Sequence, residues 1–155
     1  MAYKGKFIPT NPSKYLGNWK KIIFRSLWER KIMIWCDTSN SVLEWSSEEI
    51  IIPYICPTDR KRHRYYPDFY IKSINNGVIK TQIVEVKPKK QTRPPTKGRK
   101  KRKTYLTESK TWVKNQAKWE AAVEYCKDRK WEFHKSHEPD VLRVWRNWWS
   151  DIRQK

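Results

Sequence analysis

Residues 65–87 read YYPDFYIKSINNGVIKTQIVEVK, two apolar, strand-like runs joined at Asn76-Gly77. Asn-Gly is the strongest short hairpin signal, because a type I′ turn needs positive φ at both central residues. A two-residue or a four-residue loop sets the same register: facing residues have numbers that sum to 153, so Asn75 faces Val78 and, further along, Asp68 faces Glu85. Each run therefore carries one carboxylate in a place where strands rarely hold one. Opposed side chains have Cβ atoms only about 4.5–5.5 Å apart, and like charges there repel. Lys87, two residues beyond Glu85, shares its face because strand side chains alternate. Three charged groups converge on one spot.

Two readings of that convergence stand. Carboxylates from adjacent strands suit a hard divalent ion that prefers oxygen ligands, magnesium or manganese. Such an ion bridges carboxylate to phosphate, acidifies a water and neutralises the charge that develops as a phosphodiester breaks. Lys87 then supplies matching positive charge at the phosphate or the attacking water. In the other reading Asp68, Glu85 and Lys87 are an ion triplet on a solvated strand face. The alternation of Val84 and Val86 with Glu85, and of Phe69 and Ile71 with Asp68, favours a central strand, yet spacing alone leaves both readings open.

The chain of 155 residues is long enough for one domain, and its ten Trp can supply a core. The formal charge of +19, from 35 Lys+Arg against 16 Asp+Glu, calls for a polyanionic partner, with DNA the leading candidate. There is no apolar run of membrane-spanning length and no apolar signal-peptide core, so a soluble, intracellular protein is expected. Cys36, Cys56 and Cys126 are odd in number and widely spaced, which suggests neither a disulfide framework nor a Cys-x-x-Cys zinc site; they read as buried thiols. His63, His134 and His137 have no metal spacing among themselves. No arrangement supports Ser/His or Cys/His nucleophilic catalysis, and the absence of a glycine-rich phosphate loop speaks against nucleotide hydrolysis.

Residues 1–14 read as an irregular arm. From Trp19 to Trp35 the apolar positions Ile23, Phe24, Leu27, Trp28 and Trp35 follow helical spacing, with Ile32, Met33 and Ile34 marking a buried far end. EEIIIPYI (48–55) reads as a strand that Pro53 confines to an edge or a bulge. Lys87–Lys103 holds ten Lys+Arg in seventeen residues, too charged and too poor in apolar residues to pack, and reads as a mobile loop. Helix resumes around Glu108–Arg129 with a stripe of Trp119, Ala122, Val123 and Cys126, and WEFHK (131–135) is a last strand. Lys89, Lys90, Arg93, Lys97, Arg99, Lys100, Lys101, Arg102 and Lys103 are candidates for sequence-independent contacts to the DNA backbone. Lys114 and Lys118 read as solvent-facing, with Lys118 kept as a further DNA-binding candidate.

The pattern PDF (67–69) followed by EVK (85–87) resembles the PD-(D/E)XK nuclease superfamily. SLWE (26–29), HRYYPDFYI (63–71), and AAVEYC followed by WEF resemble its TnsA-type endonuclease branch. VLEWSSEEIIIPY (42–54) and VEVKPKKQTRPP (84–95) extend the likeness, over nearly the whole length, to the head-completion nucleases of T-even-like bacteriophages. The resemblance implies an α/β (α+β) restriction-endonuclease-like core of mixed sheet with flanking helices, and a Mg2+- or Mn2+-dependent DNA nuclease site. It also implies a role in finishing the DNA-filled head before tail attachment, in the host cytoplasm, with retention in the virion left open. It places a catalytic and metal-binding carboxylate at Glu29, beside Asp68, Glu85 and Lys87. Ser26-x-x-Glu29 is equally the signature of a helix capping box. The basic insertion after Glu-x-Lys has no role in the superfamily motif.

The expected organisation is an arm (1–14), a nuclease domain (15–137) with a basic mobile loop (88–107), and a C-terminal amphipathic helix (138–155). In that helix Trp145, Trp148 and Trp149 lie on an apolar stripe with Val141 and Ile152, suited either to packing on the domain or to docking on a portal or neck protein. Two other functions remain open from sequence: a noncatalytic plug that grips packaged DNA, and a resolvase- or transposase-like endonuclease.

Overall fold

The computed structural model describes residues 4–137. The expected C-terminal helix, with Trp145, Trp148 and Trp149, lies outside the described residues.

The Asn-Gly hairpin forms as its sequence dictates. The arm contributes the short strand β1 (Gly5–Lys6), which pairs with β2 (Ile23–Phe24); α1 (Leu27–Thr38) and β3 (Val42–Ser47) follow. β4 (Ile52–Ile55) and β5 (Arg62–Tyr65) form a separate two-stranded sheet. β6 (Phe69–Asn75) and β7 (Val78–Lys87) pair from Asn75↔Val78 to Phe69↔Val84, the expected register. Asn76 and Gly77 have φ of 52° and 79°, as a type I′ turn requires. A long helix, α2 (Arg102–Arg129), leads to β8 (Glu132–His137), which pairs parallel to β7. The sheet order β3-β6-β7-β8 is antiparallel except at β8, so it is mixed and β7 is central.

Alternation along β6 and β7 divides the core. Phe69, Ile71 and Val84 pack with Ile32, Met33 and Cys36 of α1, whereas Tyr70 and Ile83 pack with Cys126 of α2. The sheet is thus covered by one helix on each face. An irregularity between Val42 and Glu44 lets both Val42 and Trp45 face α1. Trp45, fully buried, meets the rings of Phe7 and Tyr15 edge-on at 5.9 and 4.8 Å.

Several expectations need correction. The arm is irregular over much of its course, but Asp37, buried at the end of α1, accepts the Thr10 and Asn11 amides at 2.7 and 2.8 Å and binds it to the core. Residues 19–24 are a 3₁₀ turn and β2; α1 starts only at Leu27, with Ser26 as N-cap. Ile34 is exposed while Ile32 and Met33 are buried. β3 and β5 were not anticipated: β3 lacks strict alternation, and RHRY (62–65) is too basic to read as a strand. The strand at 48–55 is shorter, Ile52–Ile55, and Pro53 sits in a two-stranded sheet where its missing N–H breaks no central ladder.

The segment expected to be too charged to pack closes against α2. Lys89–Thr92 form a 3₁₀ turn, and Lys90 and Lys100 grip Glu108 of α2 at 3.1 and 2.6 Å. Between loop and helix lies a cavity of about 550 Å³ lined by Lys90, Arg93, Pro94, Pro95, Lys100 and Trp112 among others. α2 begins at Arg102, six residues before the expected Glu108. Its buried stripe is Asn115, Trp119, Ala122 and Cys126, with Val123 exposed.

Candidate active site

The site lies where the ladder between β6 and β7 ends. Asp68 stands one residue outside β6, after buried Pro67, and its carbonyl accepts the Glu48 amide at 3.2 Å. Its side chain takes over where backbone pairing stops: Val86 N–H donates to Asp68 Oδ2 at 2.8 Å. Glu85, 4 % exposed, accepts the Asp68 amide (3.2 Å) and the Tyr65 hydroxyl (2.7 Å) at Oε2, while Lys87 Nζ lies 3.2 Å from Oε1. A buried carboxylate is tolerated only when its lone pairs are filled in this way. Lys87 is thus one of several partners of the two acids: a backbone amide reaches each carboxylate, and a phenol joins the lysine on Glu85.

Crowding nevertheless leaves a mark. Burial and then the Glu85 charge push the Asp68 carboxyl well above the usual range, with a smaller contribution from Glu29; the Val86 amide and Lys87 pull the other way. Burial also raises Glu29, as do the charges of Glu48 and Glu85, against the Arg25 amide. Two oxygen donors crowded this way are the chemistry a hard divalent cation relieves, and Asp68 and Glu85 fit such an ion.

Glu29 sits in half of the capping box its sequence suggested. Ser26 Oγ accepts the Glu29 amide at 3.2 Å, half of a capping box, but the Glu29 carboxylate reaches the Arg25 amide (2.9 Å) rather than that of Ser26. Its charge is felt by Asp68, yet among the described residues Glu29, Asp68 and Glu85 do not gather within 4.8 Å of one another. The structure brings Asp68, Glu85 and Lys87 together and leaves Glu29 at the margin.

Sequence reasoning missed two residues here. Tyr65 fixes Glu85. Glu48, in the left-handed region at φ 55°, holds the Arg25 guanidinium at 2.9 and 3.3 Å, a second ion pair in the neighbourhood of Glu29. An acid in that backbone region is a local cost often found at functional sites. Only the pairing of β3 with β6 makes Glu48 a neighbour of Asp68, so no local motif signals it. Lys118 corrects its own reading: it is half-buried, its ammonium 5.7 Å from the Tyr65 ring, and burial with the nearby Lys87 charge lowers its pKa. Lys114 is exposed as expected.

Of the basic candidates, Arg93, Lys97, Arg99, Lys101, Arg102 and Lys103 are exposed, whereas Lys90 and Lys100 are engaged by Glu108. Lys89 lies in the 3₁₀ turn directly after the site strand.

Residues 39–138 match the TnsA-like endonuclease N-terminal family. The head completion nuclease of Enterobacteria phage T4 is 38% identical over 133 residues, covering 83% of this chain and 87% of that protein. No solved structure matches the chain significantly. The family match spans the hairpin that carries Asp68, Glu85 and Lys87, and this chain belongs to the TnsA-like endonucleases.

Proposed function

We propose that the protein is a DNA nuclease of phage head completion whose catalytic centre is Asp68, Glu85 and Lys87, with Glu29 assisting, and that it trims or opens packaged DNA at the portal before the tail joins. The observation that carries this reading is one hairpin setting two crowded carboxylates and a lysine at the end of a central strand. Asp68 and Glu85 would hold Mg2+ or Mn2+, which when bound supplies charge neutralisation and an acidified water. Lys87, tethered to Glu85, presents its ammonium to the negative charge that builds up at phosphorus. Tyr65 keeps Glu85 oriented, and Lys118 adds a second cation beside Lys87. The exposed basic residues from Arg93 to Lys103 grip phosphates without reading bases, consistent with a substrate defined by its place in assembly.

Purified protein should nick plasmid DNA in Mg2+ or Mn2+ and lose all cutting on chelation, with DNA retention on a filter little changed. Cutting that persists in chelator would overturn the reading. DNA binding without cutting under any divalent metal would favour the DNA-gripping plug.

A further inference from the structure

We propose that Cys56, Asp59 and His63 form a second metal site, for a borderline-soft divalent ion of the zinc class, where the turn after β4 meets the start of β5. Their sulfur, oxygen and nitrogen ligand atoms all lie within 4.8 Å of one another. This donor set discriminates: thiolate, carboxylate and imidazole together suit zinc and reject magnesium, and three protein ligands leave a fourth tetrahedral position for water or a partner's side chain. The site is chemically distinct from the all-oxygen pair at Asp68 and Glu85.

The turn holds the three ligands in fixed places. Cys56 N–H donates to the Lys61 carbonyl at 2.9 Å and Arg60 N–H to the Cys56 carbonyl at 2.7 Å, with Arg60 in the left-handed region at φ 59°. One Asp59 oxygen accepts the Lys61 amide at 2.9 Å, which leaves the other facing His63 Nε2 at 2.7 Å. The His63 ring is tilted against Tyr54 with centroids 5.8 Å apart. An ion would take the place of the direct Asp59–His63 contact.

Cys56 is buried, with the Thr58 hydroxyl 3.1 Å from its Sγ. Two anionic ligands offset the positive field of Arg60, Lys61, Arg62 and Arg64. The alternative is a surface Asp59–His63 ion pair beside a chance thiol, and it binds no metal.

A two-stranded sheet has little stability of its own, and this one carries Tyr65, which holds Glu85. An ion at its tip would staple β4 to β5 and act on the nuclease site only through that placement.

The test is Co2+ titration of the full chain in excess Mg2+, followed by thiolate-to-cobalt charge-transfer absorption in the near ultraviolet. One equivalent should generate the band, Cys56→Ser should remove it, and Asp68→Asn and Glu85→Gln should leave it intact. Because Cys56 is buried, the exposed His63→Ala is the variant least able to disturb folding. It should weaken cobalt at least as much as the roughly 10–100-fold typical of losing an outer-shell partner, and cancel the rise in melting temperature that Zn2+ gives the wild type. Absence of the band, its survival in Cys56→Ser, or an equal Zn2+ response in His63→Ala would each overturn the proposal.

Discussion

Asp68→Asn is expected to abolish DNA cleavage, by on the order of a thousandfold or more, while raising the stability of the metal-free protein at neutral pH. The two effects share one cause. Burial and the Glu85 charge raise the folded-state pKa of Asp68 above its unfolded value. Between those two values the folded state binds more protons than the unfolded one, so stability falls as pH rises through the window and stays reduced above it. Asparagine keeps the shape and still offers an oxygen to the Val86 amide, the bond that Asp68 makes at 2.8 Å. It removes the charge that penalises the folded state. The melting temperature of Asp68→Asn should therefore exceed that of the wild type at neutral pH, and the gap should close in acid. A less stable Asp68→Asn, or one that cuts at the wild-type rate, would contradict this.

Lys87→Met should lose both properties. Without the ammonium at 3.2 Å, Glu85, its side chain 5 % exposed, keeps only the Tyr65 hydroxyl and the Asp68 amide. Removing one partner of a fully buried ion pair costs about 3–5 kcal/mol. Lys87 is a quarter exposed, and solvent there reduces the cost to about 1–3 kcal/mol. Cleavage should fall by about a hundredfold to a thousandfold, with DNA affinity nearly unchanged because the exposed loop cations remain. Adding Glu85→Gln to Lys87→Met should restore stability without restoring cleavage. Chemical denaturation and single-turnover cleavage of the two variants give both readouts, and a double variant no more stable than Lys87→Met would show that the pair is not what holds this corner.

The hairpin was legible because its determinants are local. Asn76-Gly77 sets the turn, the turn sets the register, and the register brings Asp68, Glu85 and Lys87 together. Helix positions on α2 were legible from apolar spacing, though Val123 shows that a periodic apolar residue can still face solvent. The start of α1 was misplaced because apolar residues in a 3₁₀ turn and a short strand mimic helical spacing over residues 19–24. The Ser26 cap was the better guide. Closure of the basic segment onto α2 depends on Glu108, a single acid outside the segment, which composition within it does not register. Glu48 and Tyr65 entered the site through strand pairings distant in sequence. The proximity of Cys56, Asp59 and His63 comes from the turn and the β4–β5 pairing, and their spacing in sequence matches no metal motif.

The most direct test of the Asp68–Glu85 metal site is a Mg2+ titration of isotope-labelled, DNA-free protein followed by NMR at the backbone amides of Val86 and Asp68, which donate to the two carboxylates. If these carboxylates hold the ion, both amides should shift together and saturate, and the response should vanish in Asp68→Asn and Glu85→Gln. Saturating shifts confined to other parts of the chain, with Val86 and Asp68 unmoved, would contradict it.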